Sequence, residues 1–395
     1  MSNGSKQEYL SAIRSRYLAA NKSEKKAILD ELCAVCGYNR KYAIRVLRRP
    51  SQTSSSSQKS RRGRKAKYHQ PELVAFLKAL WIAANLACGK RLKAMIPNWL
   101  PHYPQPLTDE IKSLLATISA STIDRLLKPQ RPKHQKSGLS TTKPGSILKH
   151  HIPVKTNQWD ENKPGFLEAD TVAHCGTSTA GMFVFTVNCV DIATGWTEQR
   201  AVWGKGERGV LAAVTSIEQA LPFPLLGFDC DNRSEFLNWH LQHYLTERQR
   251  PVDYTRSRPY HKNDNAHVEE KNWTHIRQYL GYGRFDRQEL TLQLNELYTT
   301  EWRFLLNFFL PSMKLQEKSR QGSKIIKKHD HPKTPLQRIL DSPHIEESTK
   351  QKLREQFQAL NPFELKQQML KKVQRILAQV NFTPLPPPDE SQHRP

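Results

Sequence analysis

The chain has 395 residues, 37% of them hydrophobic, which is enough to bury a core in at least one domain and too many for a wholly disordered protein. Its 61 Lys and Arg against 37 Asp and Glu give a net charge of +24, which makes a polyanion the expected partner. Six scattered cysteines exclude a disulfide framework, the polar opening MSNGSKQEYL lacks a secretory apolar run, and the longest apolar stretch, 73–88, is interrupted by Lys78, so a cytoplasmic protein outside the membrane is expected.

The charge is unevenly placed: residues 1–160 carry a net +21, residues 161–310 a net −4 and residues 311–395 a net +7. Within 1–50, Tyr9, Ile13 and Tyr17 recur at helical spacing. A second helical run from a capping Ser23 stacks Ile28, Leu29, Leu32, Cys33 and Cys36 and ends at Gly37. The following RKYAIRVLRR sets Tyr42, Ala43, Val46 and Leu47 inward and Lys41, Arg45 and Arg48 outward, the pattern of a helix-turn-helix recognition helix. A small helical bundle with a solvated basic face fits the same residues. Cys33 and Cys36 form half of a zinc spacing, but both fall on the apolar stripe, which favours buried core thiols.

Residues 51–68 lack sizeable apolar side chains over most of their length and read as a basic linker, in which Arg62 and Arg64 flank Gly63 either for a minor groove or as a solvated tether. Residues 69–130 form a second helical unit, helix-turn-helix-like and expected to bind DNA. Pro71 opens it, Leu73, Leu77, Leu80 and Trp81 make its stripe, Gly89 lies near the end of its first helix, and a Ser-capped helix covers 118–128. Residues 131–160, rich in Pro, Lys, Ser and Thr, read as a second linker.

From 161 to 310 the pattern changes to strands. GFLEADTV, MFVFTVNCVDI and TGWTEQRAVWG form a meander, followed by helix, strand PLLGFDCD, helix, short strand VDYT and the helix DNAHVEEKNWTHIRQYL. The fold class expected is multidomain α+β, with a mixed five-stranded sheet and flanking helices at its core. Asp170 lies in the first strand, Asp231 just beyond the fourth and Glu269 near the start of the late helix, 61 and then 38 residues apart. They meet only if strands one and four are neighbours. Bare carboxylates suit Mg²⁺ or Mn²⁺, and two such ions about 3.5–4 Å apart serve phosphodiester chemistry. Glu168, Asp229 and Glu270 compete for the same roles.

The phrases LEADTV, DIATGW, DCDNRSEF and SRPYHKNDNAHVEEKNWTHIR resemble the catalytic core of the DDE recombinases, the retroviral-type integrases and bacterial insertion-sequence transposases of the ribonuclease H-like superfamily. The resemblance covers 165–285 most strongly. It implies a ribonuclease H-like sheet, two Mg²⁺ or Mn²⁺ ions on Asp170, Asp231 and Glu269, and an Asn three residues after the last acid, here Asn272, expected to contact DNA. It further implies a nucleoid-associated transposase that binds terminal inverted repeats, cuts 3′ ends and joins them to target duplex DNA as at least a homodimer. One departure is Arg233, where the family has Gly; it points to the rival reading, an inactive transposase-derived DNA-binding regulator. A ribonuclease H-like nuclease acting on RNA–DNA hybrids is the third reading, and the basic arm disfavours it.

Arg256, Arg258, His261 and Lys262 precede the late helix and read as phosphate contacts, with Tyr260 stacking on a base and Lys205 a weaker contact. Trp196, Trp203, Trp239 and Trp273 read as packing residues. The tail, 311–395, begins with a basic stretch that reads either as a small β-rich DNA-contacting segment or as a linker. Amphipathic helices follow over 346–380, and the end, TPLPPPDESQHRP, reads as disordered.

Overall fold

A computed structural model describes residues 3–48, 67–133, 162–231, 235–257, 266–321 and 324–380. The chain divides into two compact units, 1–66 and 67–395. The expected Arg62 and Arg64 contacts, the linker 51–66 and the end of the tail lie outside the described residues.

The first unit contains α1 (Asn3–Ala19), α2 (Lys22–Cys36) and α3 (Arg40–Arg48). Ile13, Tyr17, Leu32, Cys36 and Leu47 meet in its small core, with Cys33 packed at the edge. Asn21, rather than the expected Ser23, caps α2: its side chain accepts the Glu24 N–H at 3.0 Å and the Glu24 carboxylate accepts the Asn21 N–H at 2.9 Å. Gly37 closes α2 in the left-handed region, φ 69°, where its N–H reaches Cys33.

The second unit opens with α4 (Pro71–Ala83), α5 (Gly89–Trp99), α6 (Asp109–Thr117) and α7 (Ala120–Leu127). Pro71 starts α4, and Thr108 and Ser119 cap α6 and α7 through their side chains. Gly89, expected near a helix end, instead begins α5. A Cβ there would lie 2.2 Å from the Ala120 carbonyl oxygen, and the Gly89 N–H donates to Asp124 at 3.0 Å, so only glycine lets α5 meet α7 this closely.

These helices share one apolar core with the sheet. Trp99 is fully buried, donates its indole N–H to the Phe309 carbonyl at 3.2 Å and packs edge-on against Phe363 at 4.9 Å. Arg91 donates to the Pro311 carbonyl at 2.6 Å. The structure therefore places its division at 66, and the expected second helical domain, 69–130, belongs to the same unit as the sheet.

The sheet comprises β1 (Phe166–Ala173), β2 (Val184–Asp191), β3 (Thr197–Trp203), β4 (Gly227–Cys230) and β5 (Asp253–Arg256). Its order is β3-β2-β1-β4-β5. The first three strands run antiparallel, while β4 joins β1, and β5 joins β4, in parallel. Helices α8 (Glu207–Ala220) and α9 (Trp239–Thr246) connect the parallel strands. This is the mixed five-stranded sheet with flanking helices that the resemblance implied, and strands one and four are neighbours.

One large element follows the strands and helices expected of the sheet. Helix α12 (Glu289–Leu297) continues through π-helical turns at Tyr298–Trp302 and Leu305–Phe309, and Leu290, Leu294, Trp302 and Phe308 on it are fully buried. It covers the edge strand β3. The Asn307 side chain accepts the Thr197 N–H and donates to the Thr197 carbonyl, both at 2.9 Å, and Asn295 does the same at Ala201 at 2.7 and 2.9 Å. Two amides thus occupy edge groups that would otherwise template another strand.

After α12 come a two-stranded hairpin, β6 (Leu315–Gln321) and β7 (Lys324–His329), then α13 (Pro335–Asp341), α14 (Glu347–Gln358) and α15 (Pro362–Leu377). The basic stretch is thus hairpin rather than linker, and the expected helical pair is α14 and α15. Among the described residues, no helix is long and apolar enough to cross a membrane.

Candidate active site

The C-terminal ends of β1 and β4 and the helix α10 (Ala266–Lys271) converge at one place. In the parallel pair, Ala169 stands opposite Cys230, so Asp231 follows directly where β1 continues into Asp170. Helix α10 is tied to β1 at two points. The N–H groups of His267 and Val268 donate to the Glu168 carboxylate at 3.0 and 3.2 Å, and the Asn272 amide donates to Asp170 at 2.6 Å. Two strand residues advance about 6.6 Å and five helical residues about 7.5 Å, so both ties can form at once only with the helix running along the strand. Glu269 lies in sequence between the tied positions and is exposed.

Asp170 is nearly buried, 8% exposed, and its other oxygen accepts the Thr171 N–H at 2.7 Å. Behind it runs a relay of amides. Gln199 donates to Asn188 at 3.1 Å, Asn188 to Asn272 at 2.8 Å, and Asn272 to Asp170. Asn188 is the cross-strand partner of both Asp170 and Gln199, so the alternation of three adjacent strands puts the whole row on one face. A row of amides ending on a carboxylate fixes its rotamer. At Asn272 the helix widens into a π-helical stretch, Asn272–Arg277, before α11 (Gln278–Leu280).

The competing carboxylates have other partners. Glu168 serves the start of α10, Asp229 is fully buried and accepts the Thr255 hydroxyl at 2.6 Å, and Glu270 is exposed beside Glu269. Glu235, which no sequence pattern singles out, is 2% exposed, accepts the Thr171 hydroxyl at 2.8 Å and lies 3.8 Å from the Lys205 ammonium.

Hard carboxylate oxygens, those of Asp170 held by N–H groups, suit a hard divalent cation. Among the described residues, no three His, Cys, Asp or Glu side chains are drawn together as a ready cage. The topology brings Asp170 and Asp231 side by side and leaves Glu269 outward on the docked helix.

Several expected DNA contacts have other surroundings. Asn272, expected at DNA, commits both ends of its amide inward. Arg256 is 9% exposed and sits in β5 opposite Cys230. Arg233, Arg258, Tyr260, His261 and Lys262 lie outside the described residues. Lys41, Arg45 and Arg48 are exposed along one side of α3, over fully buried Ala43 and Leu47. Of the tryptophans expected in packing, Trp196 is buried, but Trp239 and Trp273 are 59% and 40% exposed, because their helices turn those positions away from the sheet.

Two ionisations near the sheet follow from burial. Asp191, at the β2–β3 turn, is pushed up to about 6 by burial, against the pull of N–H groups from Gly165 and Thr194. His174, buried behind β1, is held well below the ordinary histidine value by burial and then by Arg277.

No family model matches the chain. Among solved structures, it is similar to the catalytic core domain of BIV integrase, with 17% identity and a TM-score of 0.28 over 46% of this chain and 96% of that one. It is also similar to a chain of the simian T-cell lymphotropic virus intasome in complex with PP2A regulatory subunit B56 gamma, with 13% identity and a TM-score of 0.28 over 49% of this chain. That match spans 62% of the intasome chain, less than two thirds of its length. A relative in Sinorhizobium fredii (strain NBRC 101917 / NGR234), the "Uncharacterized protein y4rM", is 40% identical over 348 residues, covering 86% of this chain and 96% of the relative. The chain belongs to the y4rM family.

Proposed function

We propose that this protein is a DDE transposase that cuts the ends of a DNA element and joins them to target DNA. The observation that carries the reading is Asp170, held within β1 by Asn272 and the Thr171 N–H, beside Asp231 and under a helix bearing Glu269. Polyanion binding fits the charge of +24.

In this mechanism Asp170, Asp231 and Glu269 would hold the metal, the two aspartates from adjacent strands and Glu269 from the docked helix α10. When bound, a pair of Mg²⁺ or Mn²⁺ ions activates the nucleophile and stabilises the departing oxygen. Asn272 keeps Asp170 in one rotamer through both steps, and Glu168 holds the start of α10 so that Glu269 keeps its height above β1. Water attacks the phosphodiester at the element end and leaves a 3′ hydroxyl. That hydroxyl then attacks a target phosphodiester, forming the new P–O bond as the target strand's 3′ oxygen departs, with no covalent protein–DNA intermediate. The basic face of α3 binds the terminal repeats, and pairing two ends requires at least a dimer, working at the nucleoid.

The test is strand transfer: purified protein, its element-end duplex and a supercoiled plasmid in Mn²⁺, beside Asp170→Asn and Asp231→Asn. Joined products that vanish in both variants support the reading. Salt-sensitive binding without cutting moves it to the inactive DNA-binding regulator, for which Arg233 speaks.

A further inference from the structure

The hairpin β6–β7 is built unlike the rest of the second unit. It is a sheet of two strands, and none of its described side chains is buried. Leu315 and Ile326 are 49% and 44% exposed. A two-stranded ribbon is marginal in water by itself. Its residues, 315–329, hold five Lys or Arg and one acid, Glu317. Lys327 and Lys328 are exposed on β7, where Lys328 stands opposite Glu317 and Lys327 opposite Lys318.

The base, by contrast, is clamped. The Lys314 N–H donates to the Asp330 carboxylate at 2.6 Å, and the same carboxylate pairs with Arg338 of α13 at 2.6 Å. Ser312 and Lys333 exchange backbone hydrogen bonds of 2.9 and 3.1 Å just beneath. The Lys314 ammonium reaches the Ala193 carbonyl at 3.1 Å, in the β2–β3 turn. That turn follows Asp191, the partner of Leu167 at the start of β1, so the hairpin leaves the sheet from the end opposite Asp231.

A ribbon with a fixed stem, a basic blade and exposed aliphatic side chains suits one occupant. We propose that β6–β7 seats in the major groove of duplex DNA, on a segment other than the one presented to Asp170. The groove, about 12 Å wide, admits a two-stranded ribbon. Its phosphate walls supply the charge that Lys327 and Lys328 match, and Ile326 offers apolar contact to thymine methyl groups. The choice of DNA over another polyanion rests on the function proposed above; the contact itself requires no metal or cutting.

The experiment is fluorescence anisotropy of the full-length protein with a labelled DNA duplex of arbitrary sequence in EDTA, titrated over salt. Lys327→Gln with Lys328→Gln lowers the slope of log K against log salt by about 2 and weakens binding roughly tenfold at moderate salt. Lys352→Gln with Lys371→Gln, at exposed positions of α14 and α15, leaves the slope unchanged. An unchanged slope in the hairpin variant overturns the inference, and so does an equal fall in both variants, which would mark a bulk charge effect. Equal, hairpin-dependent binding of an RNA duplex also overturns it, because the A-form major groove is too narrow for a ribbon. A protein that fails strand transfer yet keeps the hairpin-dependent slope leaves the inference standing and removes only the catalytic reading.

Discussion

Helices α1–α3 and α4–α7 come from the same basic arm and carry similar apolar stripes, yet they fold into different company. The first set closes on a small core of its own, while the second shares the core of the five-stranded sheet. Their difference is in girth rather than period. On α4, Leu73, Phe76, Leu77, Leu80, Trp81 and Ala83 are all buried, more than one face of a three-helix bundle consumes, and Trp99 at the end of α5 exceeds any side chain in the first core. A stripe tells that a helix packs; its surplus apolar area tells that the helix packs on something else.

Trp99→Ala is the severest way to break this contrast. It removes a fully buried indole, its hydrogen bond to Phe309 and its packing on Phe363, and should cost about 3–5 kcal/mol, all in the second unit. Leu32→Ala should cost about 2–5 kcal/mol, all in the first. Amide hydrogen exchange resolved along the chain checks both. Loss of protection in 3–48 from the Trp99 change, or in 71–127 from the Leu32 change, would dissolve the two-unit description.

The next effect depends on pH and should again be confined to the second unit. Asp191 is buried with its pKa raised to about 6. The folded chain therefore holds this proton more tightly than the unfolded chain does. The contribution is fully present below about pH 4 and is lost as pH rises through about 6, by roughly 3 kcal/mol. In the first unit, Glu31 is shifted the other way, lowered by the Tyr9 hydroxyl, at an exposed site. Urea midpoints of the second unit should thus fall between about pH 4 and 6. Asp191→Asn should flatten that slope, and a slope that persists in the variant assigns it elsewhere.

The third test addresses the site. Asn272→Ala removes the amide donor from one oxygen of Asp170 and the Asn272 acceptor from Asn188, while Glu269 stays on its helix. Loss of an orienting partner of this kind typically lowers activity or metal affinity 10–100-fold. Strand transfer should fall by about that factor with stability nearly unchanged, and Asn272→Asp, which sets a second carboxylate against Asp170, should fare worse. Unaltered activity in the alanine variant would remove the relay from the mechanism.

How much of this the sequence disclosed follows from the range of each signal. Period-two and period-3.6 patterns are local, so the five strands, α8 and the helical pair of the tail are legible, and with them the positions of Asp170, Asp231 and Glu269. Partners chosen across the fold are not. Asn188 is a lone amide in the apolar run FVFTVNCV, and nothing local says that its partner lies 84 residues away. Glu168 looks as eligible for metal as Asp170 until α10 is seen to rest on it. Helix α12 carries a local stripe of its own, Leu290, Leu294, Leu297 and Tyr298, but a stripe does not say which surface it meets, and Asn295 and Asn307 look like ordinary polar interruptions until the β3 edge is beside them.

The smallest expected effect returns to the two helical sets and asks which of them meets DNA. On α3, Arg45 and Arg48 are exposed, and the Arg45 guanidinium stands 5.1 Å from the Tyr42 ring, which steadies it above the surface. Helix α5 offers Lys90 and Lys93, also exposed, but its other side is bound into the sheet's core. Arg45→Gln with Arg48→Gln should weaken binding to an element-end duplex by about 1–3 kcal/mol if either arginine reads a base, and should lower the salt slope by about 1 for each phosphate no longer neutralised. Lys90→Gln with Lys93→Gln should do less, because a helix committed to one core has little freedom to follow a groove. Equal effects from the two pairs would make α4–α7 a second DNA-binding surface, with its packing on the sheet setting the angle between bound DNA and Asp170.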